Sequence, residues 1–145
     1  MYKRILLAYD GSEAGQQALT DGREIAQWNG AEVVLVAVMP SMMAFVGLEG
    51  GVYDTELEER ERQKFEAVLQ DGLARLKDAG FSARGEVVMG EAIEEISRYA
   101  RQVDADLIVV GHKHQDSWAA RWWRGSISAS LIEHAPCSVL AVVTR

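Results

Sequence analysis

Residues 106–128 read DLIVVGHKHQDSWAARWWRGSIS: an apolar run, a basic loop and the start of a helix. The apolar run, residues 107–110, is short, rich in β-branched residues and free of polar alternation, which is typical of a strand buried on both faces of a parallel sheet. We predict that this strand ends at Gly111. The Gly125-Ser126 pair is expected to open a helix, whose free N–H groups and positive dipole end attract anions. The succession of strand, glycine, cationic loop and helix start therefore predicts an anion site.

The loop between this strand and this helix is basic, although the chain as a whole is acidic. The formal net charge is −7. Residues 111–126 nevertheless contain more basic than acidic side chains, namely Lys113, Arg121 and Arg124 against Asp116. A local basic segment in an acidic protein favours a small anion over a polymer, so no nucleic-acid partner is expected. The competing interpretation is a solvated loop whose charges are incidental.

The length and composition indicate one globular domain, residues 1–145, with a substantial core. No apolar run approaches the ~20 residues that a membrane-spanning helix needs, so no membrane span is expected. The apolar stretch at residues 5–8 is too short for a secretory signal, and a cytoplasmic location is predicted. The single cysteine, Cys137, excludes an internal disulfide and is expected to be a structural thiol.

The first part of the chain is typical of a β-α-β unit. The first predicted strand, residues 4–9, is followed by the sequence DGS at residues 10–12. Its serine, Ser12, is a good helix N-cap. Small and apolar residues then recur at helical spacing, and an Asn-Gly pair at 29–30 is a helix stop signal. The second strand is predicted at residues 32–38, EVVLVAV. Because a helix connects the two strands, we expect them to be parallel and the crossover to be right-handed.

The rest of the chain continues the alternation of strands and helices. A stretch rich in Gly and Met, residues 41–52, is interpreted as a loop and a candidate lid. The elements predicted beyond it are a helix capped by Asp54 or Thr55, a polar edge strand within 81–88, a helix after Gly90, the strand at 106–110, a helix at about 126–134 and a strand at 138–143. Five strands and four helices in alternation predict an α/β fold: a single doubly wound domain with helices on both sheet faces.

Two loops of this predicted fold carry unusual chemistry, one after the first strand and one after the fourth. In doubly wound sheets, ligands bind beyond the carboxyl ends of the strands, where the winding reverses. If the first and fourth strands are neighbours, Asp10 faces the basic loop across one crevice. A carboxylate there suits a ribose hydroxyl, and the Gly-Ser helix start suits phosphates.

These segments, taken together and in order, resemble the universal stress protein (UspA-like) family over essentially the whole chain. The resemblance rests on ILLAYDGSE, EVVLVAV, MGEAIEEI, DADLIVVGHKH, GSIS and HAPCSVLAVV. It implies a five-stranded parallel sheet of order 3-2-1-4-5 with an adenine nucleotide alpha hydrolase-like fold. It also implies a homodimer formed through the last strand, residues 138–143, and an apolar edge strand does need such cover.

Some members of this family bind ATP through the pattern Gly, two residues, Gly, nine residues, Gly, then Ser or Thr. Here Gly111 matches the first position and Gly125-Ser126 the last pair. His114 occupies the second glycine position, and ten residues separate it from Gly125. Since charged side chains can replace backbone contacts to phosphate, the candidates for that role are Lys113, His114, Arg121 and Arg124.

The resemblance implies ATP or a related adenine nucleotide as ligand, with Mg²⁺ as a candidate companion ion. Asp10 matches the aspartate that contacts ribose in ATP-binding members, and Val38 falls where a residue lies against adenine. The candidate nucleotide site consists of Asp10, Gly11, Val38, Val110, Gly111, Lys113, His114, Arg124, Gly125, Ser126 and Ile127.

The main alternative is a dimeric stress or interaction protein that binds no nucleotide. The sequence GHKHQDSW at residues 111–118 resembles that of the family branch whose members do not bind ATP. That branch, however, usually lacks the Gly-Ser pair. Asp10 and Gly125-Ser126 favour nucleotide binding, whereas His114 and the longer loop favour the alternative. An unidentified protein partner is compatible with both.

Catalysis and metal binding are the remaining interpretations. No Ser-His-Asp order, Walker lysine motif or acid pair stands out, so we expect no enzyme activity beyond slow, incidental ATP hydrolysis. Histidines and an aspartate could supply metal ligands at His112, His114, Asp116 and His134. Zinc sites, however, usually have three or four ligands with fixed hydrogen-bond partners, and no metal is assigned.

Overall fold

Strands and helices alternate along the whole chain. The computed structural model describes residues 1–41, 55–113 and 127–144, except for the side chains of residues 127–129. The elements are β1 (Arg4–Ala8), α1 (Glu13–Asn29), β2 (Glu32–Met39), α2 (Thr55–Asp78), β3 (Arg84–Met89), α3 (Ala92–Gln102), β4 (Leu107–Lys113), α4 (Ile127–His134) and β5 (Ser138–Thr144). The predicted loop at 41–52 lies almost entirely outside the described residues, as does the candidate cap Asp54.

The five strands form one parallel sheet of order β3-β2-β1-β4-β5. This confirms the α/β doubly wound fold and the strand order that the sequence predicts. β1 lies at the centre, with Ile5 paired to Val33 of β2 on one side and to Leu107 of β4 on the other. The winding therefore reverses at β1, and the crevice of the fold lies at its carboxyl end.

The two faces of the sheet bury separate apolar clusters because successive strand residues point to opposite faces. Leu7 and its neighbours pack under α1 and α2, whereas Leu6 and its neighbours pack under α3 and α4. Both leucines are fully buried, which explains why the strands read as continuous apolar runs. In the part of the chain that the structure describes, no helix is long and apolar enough to cross a membrane.

The ends of α1 form as the sequence predicts. The Oγ atom of Ser12 accepts a hydrogen bond from the Gly15 amide at 3.0 Å, which confirms the N-cap. Gly30 closes the helix in the left-handed conformation, with φ 62°, and its amide donates to the Ala26 and Gln27 carbonyls. These two caps fix where α1 begins and ends on the sheet.

The predicted end of the fourth strand is wrong. β4 does not end at Gly111 but continues through His112 to Lys113, and these three residues pair with residues 142–144 of β5. A glycine often ends a strand, yet the φ angle of Gly111 is not positive, and the residue keeps its place in the ladder. The basic loop is therefore shorter than predicted, and its residues 114–126 lie outside the described part.

Hydrogen bonds join β1 to β4 at the amino-terminal edge of the sheet. The Asp106 carboxylate accepts from the Lys3 amide at 2.8 Å and from the Arg4 amide at 3.1 Å. The Arg4 guanidinium donates to the Val103 carbonyl at 2.7 Å and to the Glu32 carboxylate at 2.8 Å. The first strand is thus tied to the residues that precede β4 before the ladder between them begins.

Candidate functional site

A notch lies at the carboxyl edge of the sheet, directly above β1. β1 ends at Ala8, which pairs with Val36 of β2 and Val110 of β4. Both neighbours continue three residues further, to Met39 and Lys113. At 3.3 Å per residue each projects about 10 Å beyond the end of β1. We call this stepped edge the β1 notch, and residues 10–12 leave β1 at its base.

Asp10 stands exposed at the base of the β1 notch, and its carboxylate is held by the turn into α1. Its Oδ1 atom accepts hydrogen bonds from the Ser12 amide at 3.0 Å and from the Ser12 hydroxyl at 2.5 Å. Gly15 leaves room for this carboxylate, since a Cβ atom there would lie 2.7 Å from Oδ1. No donor among the described residues reaches Oδ2.

The apolar candidates line the neighbouring strands at the same edge. Val110 is buried, with 4% of its surface exposed, and Val38 is half-buried. Both belong to the face of the sheet that α3 and α4 cover. The N-terminus of α4 follows Gly125-Ser126, so the predicted adenine contacts share a face with the predicted phosphate-binding helix.

Gly111 contacts the first turn of α1. A Cβ atom at this position would lie 2.3 Å from the Ala14 carbonyl oxygen and 2.6 Å from the Gly15 amide nitrogen. The backbone of β4 therefore touches the backbone of α1, and only glycine fits between them. The family resemblance places Gly111 in a phosphate-binding pattern. In the structure, the backbone that lies close to Gly111 is the first turn of α1.

The other predicted site residues are only partly described. Gly11 has a φ angle of 81°, which favours glycine, and lies next to Val68 of α2. Lys113 is exposed at the end of β4, and Ile127 is the first residue of α4. His114, Arg124, Gly125 and Ser126 lie outside the described residues. Within residues 1–41, 55–113 and 127–144, no three His, Cys, Asp or Glu side chains cluster as metal ligands.

Tyr9, which the sequence does not single out, is tied to α2 beside the notch. Only 2% of its surface is exposed. Its hydroxyl donates to the Asp71 Oδ2 atom at 2.5 Å, and the same oxygen accepts from Arg75 Nε at 2.9 Å. Burial and the Asp71 carboxylate raise the pKa of Tyr9 to about 12. The Asp-Arg pair at i and i+4 is visible in the sequence, but nothing there indicates a tyrosine partner 62 residues away.

We expect the raised Tyr9 pKa to make the protein less stable in alkali. The unfolded chain releases this proton near pH 10, whereas the folded protein retains it to about pH 12. The stabilisation is complete below pH 10 and is lost as the pH rises toward 12. Between pH 9 and 11 the wild type should lose about 1 kcal/mol more unfolding free energy than Tyr9→Phe, measured by urea denaturation. Parallel pH profiles of the two proteins would contradict this assignment.

Known proteins match both the sequence and the architecture. The model of the universal stress protein family matches residues 1–143. A Staphylococcus epidermidis protein named as a universal stress protein is 33% identical over 147 residues, covering 99% of this chain and 86% of that protein. A Burkholderia pseudomallei structure from the family is 29% identical, covers 97% of this chain and 96% of that chain, and has a TM-score of 0.75.

A second similar structure carries a nucleotide. The universal stress protein from Archaeoglobus fulgidus, in complex with dAMP, shares the fold at a TM-score of 0.67 and 22% identity, covering 97% of this chain and 98% of that chain. The family match spans nearly the full chain, and the sheet order is the one that the resemblance implies. The chain belongs to the universal stress protein family.

Proposed function

We propose that this protein is a regulatory universal stress protein that binds an adenine nucleotide, ATP in particular, in the β1 notch between β1 and β4. The observation that carries the proposal is the notch itself. β2 and β4 extend beyond the end of β1 there, and Asp10 lies at its base. One carboxylate oxygen of Asp10 accepts from Ser12, and no donor in the described ranges 1–41, 55–113 and 127–144 reaches the other. A small ligand with a hydroxyl group and an apolar ring fits such a site.

In this proposal each part of the nucleotide meets different chemistry. Asp10 accepts hydrogen bonds from ribose hydroxyls, and the half-buried Val38 provides apolar surface for the adenine ring. The phosphates lie toward Lys113 and the start of α4, with His114, Arg124, Gly125, Ser126 and Ile127 around them and Mg²⁺ as a companion ion. The dAMP complex of the Archaeoglobus fulgidus protein supports an adenine nucleotide as the ligand class.

Calorimetry with ATP tests the proposal. The protein is first denatured, the released small molecules are identified by mass spectrometry, and the emptied, refolded protein is titrated with ATP. We expect micromolar affinity, about −8 kcal/mol. Asp10→Asn should weaken it at least tenfold, because the amide keeps an oxygen for Ser12 but replaces the second acceptor by a donor.

Asp78→Asn is the matched control. Asp78 is exposed at the C-terminal end of α2, so the same change there should leave ATP affinity unaltered. The proposal that a nucleotide binds at the notch would be contradicted if the wild type gave no heat at millimolar ATP. Equal affinities of wild type and Asp10→Asn would contradict it as well.

A dimeric protein that binds no nucleotide is the second candidate. The contact between β4 and α1 favours this candidate, because it explains why residue 111 is a glycine without a bound phosphate. If ATP does not bind, the function lies in the dimer surface and in a protein partner. The two candidates share the fold and differ only in the occupancy of the notch.

We also propose that two copies associate through β5. β5 is an edge strand of mainly apolar residues, and Val143 in it is 57% exposed. Ile132 on the adjoining helix α4 is 69% exposed. A second copy would cover both side chains and the strand edge, which otherwise invites uncontrolled pairing. A homodimer of this kind is proposed to act in the cytoplasm.

A further inference from the structure

Tyr9 is the residue directly before Asp10 and is fixed at both ends. Its backbone amide donates to the Val36 carbonyl of β2 at 2.9 Å. Its hydroxyl donates to Asp71 on α2, and Arg75 holds that carboxylate in place. The side chain therefore runs from the central strand to the exposed side of α2.

The Tyr9 ring is also packed between two helices. A Cβ atom at Gly72 of α2 would lie 2.7 Å from the Cδ1 atom of the ring, and one at Gly15 of α1 would lie 3.3 Å from its Cδ2 atom. Both helices thus approach the ring through residues without side chains. Such close packing leaves the ring little room, and the hydroxyl bond limits the freedom that remains.

α2 holds the residues on both sides of Asp10. It binds Tyr9 through Asp71. It also meets Gly11 through Val68, whose two methyl groups lie 3.6 Å from the place where a Cβ atom of Gly11 would be. Asp10 itself makes its hydrogen bonds only to Ser12 among the described residues. On the α1 side the Gln16 side-chain amide donates to the Gly11 carbonyl at 3.3 Å. α2 therefore contributes contacts to both neighbours of Asp10 in addition to those that α1 and Ser12 make.

We infer that Tyr9, through its hydroxyl bond to Asp71, is a positioning residue for Asp10 and thereby for the proposed nucleotide. This inference rests on the proposed function, because the ligand it serves is that of the β1 notch. Without the hydroxyl the loop samples other conformations, and apparent affinity falls with the fraction that is competent to bind.

The test compares Tyr9→Phe with Tyr99→Phe in the full-length protein. Tyr99 is 3% exposed and lies in α3 on the opposite face of the sheet, so the control removes the same atom from an equally buried ring. Amide hydrogen exchange is read at Ser12 and Gly15, whose amides are held by the Asp10 and Ser12 side chains. Exchange at Val109 in β4 normalises for global stability.

We expect both loop amides to exchange about tenfold faster in Tyr9→Phe than in Tyr99→Phe, and ATP to bind about tenfold more weakly. Asp71→Ala should reproduce both changes, and the double variant Tyr9→Phe/Asp71→Ala should add nothing to either single variant. Equal exchange in the two Tyr→Phe proteins would overturn the inference, as would faster exchange with unchanged ATP affinity. If the wild type binds no ATP, the proposed function fails, and the exchange comparison still decides whether Tyr9 positions the loop.

Discussion

Replacing Gly111 by alanine is expected to lower the free energy of unfolding by about 3 kcal/mol or more. The new methyl group would lie 2.3 Å from the Ala14 carbonyl oxygen and 2.4 Å from its carbon. These are backbone atoms of the first turn of α1, so no side-chain rotation relieves the overlap. Either α1 must move off the sheet or β4 must bend, and at Gly111 β4 is still paired with Val142 of β5. Urea denaturation followed by circular dichroism measures the loss.

Gly30→Ala separates this packing effect from the general cost of replacing a glycine. Gly30 has a positive φ angle, but nothing lies within 4 Å of its missing Cβ atom. We expect a loss of about 1 kcal/mol there, from backbone strain alone. If the two variants lost the same stability, the contact between β4 and α1 would not be as close as described.

Ile108→Ala is expected to destabilise the protein by about 4 kcal/mol. Ile108 is completely buried in β4, pairs with Leu6 of β1 and Val139 of β5, and belongs to the cluster under α3 and α4. The substitution removes three carbon atoms from a site that neighbouring strands cannot close, since their positions are fixed by ladders on both sides. The cost therefore combines lost burial with a cavity.

Ile132→Ala is the control for this substitution. Ile132 is 69% exposed on α4, so the same atoms are removed where little burial is lost. We expect a change within about 0.5 kcal/mol of wild type for the isolated subunit. In the proposed homodimer a second subunit covers Ile132, so a further loss that grows with protein concentration is expected there, and its absence would count against that interface.

Much of this fold can be predicted from the sequence because its strands are buried on both faces. The runs at residues 5–8, 33–37 and 107–110 lack polar alternation, and the structure places each of them among buried residues in a parallel sheet. The caps of α1 are equally local, since Ser12 and Gly30 act on residues within one helical turn. The sequence patterns that predict these strands and caps each lie within a short stretch of the chain.

The features that sequence reasoning missed depend on contacts between distant residues. Gly111 looks like a strand end, but β5 pairs with it and extends β4 by three residues. Nothing near Tyr9 in the sequence indicates its bond to Asp71. Asp10 was predicted as a ligand contact, and its placement at the base of the β1 notch agrees with that role without testing it. The phosphate half of the predicted site lies within residues 114–126, outside the described part.

The central position of β1 has a consequence for synthesis of the chain. β1 takes its second neighbour from β4, and the Arg4 amide bonds to a residue 102 positions later. Translation adds about 5–20 residues per second, so β4 leaves the ribosome roughly 5–20 s after β1. During that time a nascent chain can pair β1 only with β2, and one edge of an apolar strand stays open to solvent. The time for which this strand edge stays unpaired is therefore set by the topology of the sheet and not by the stability of the finished fold.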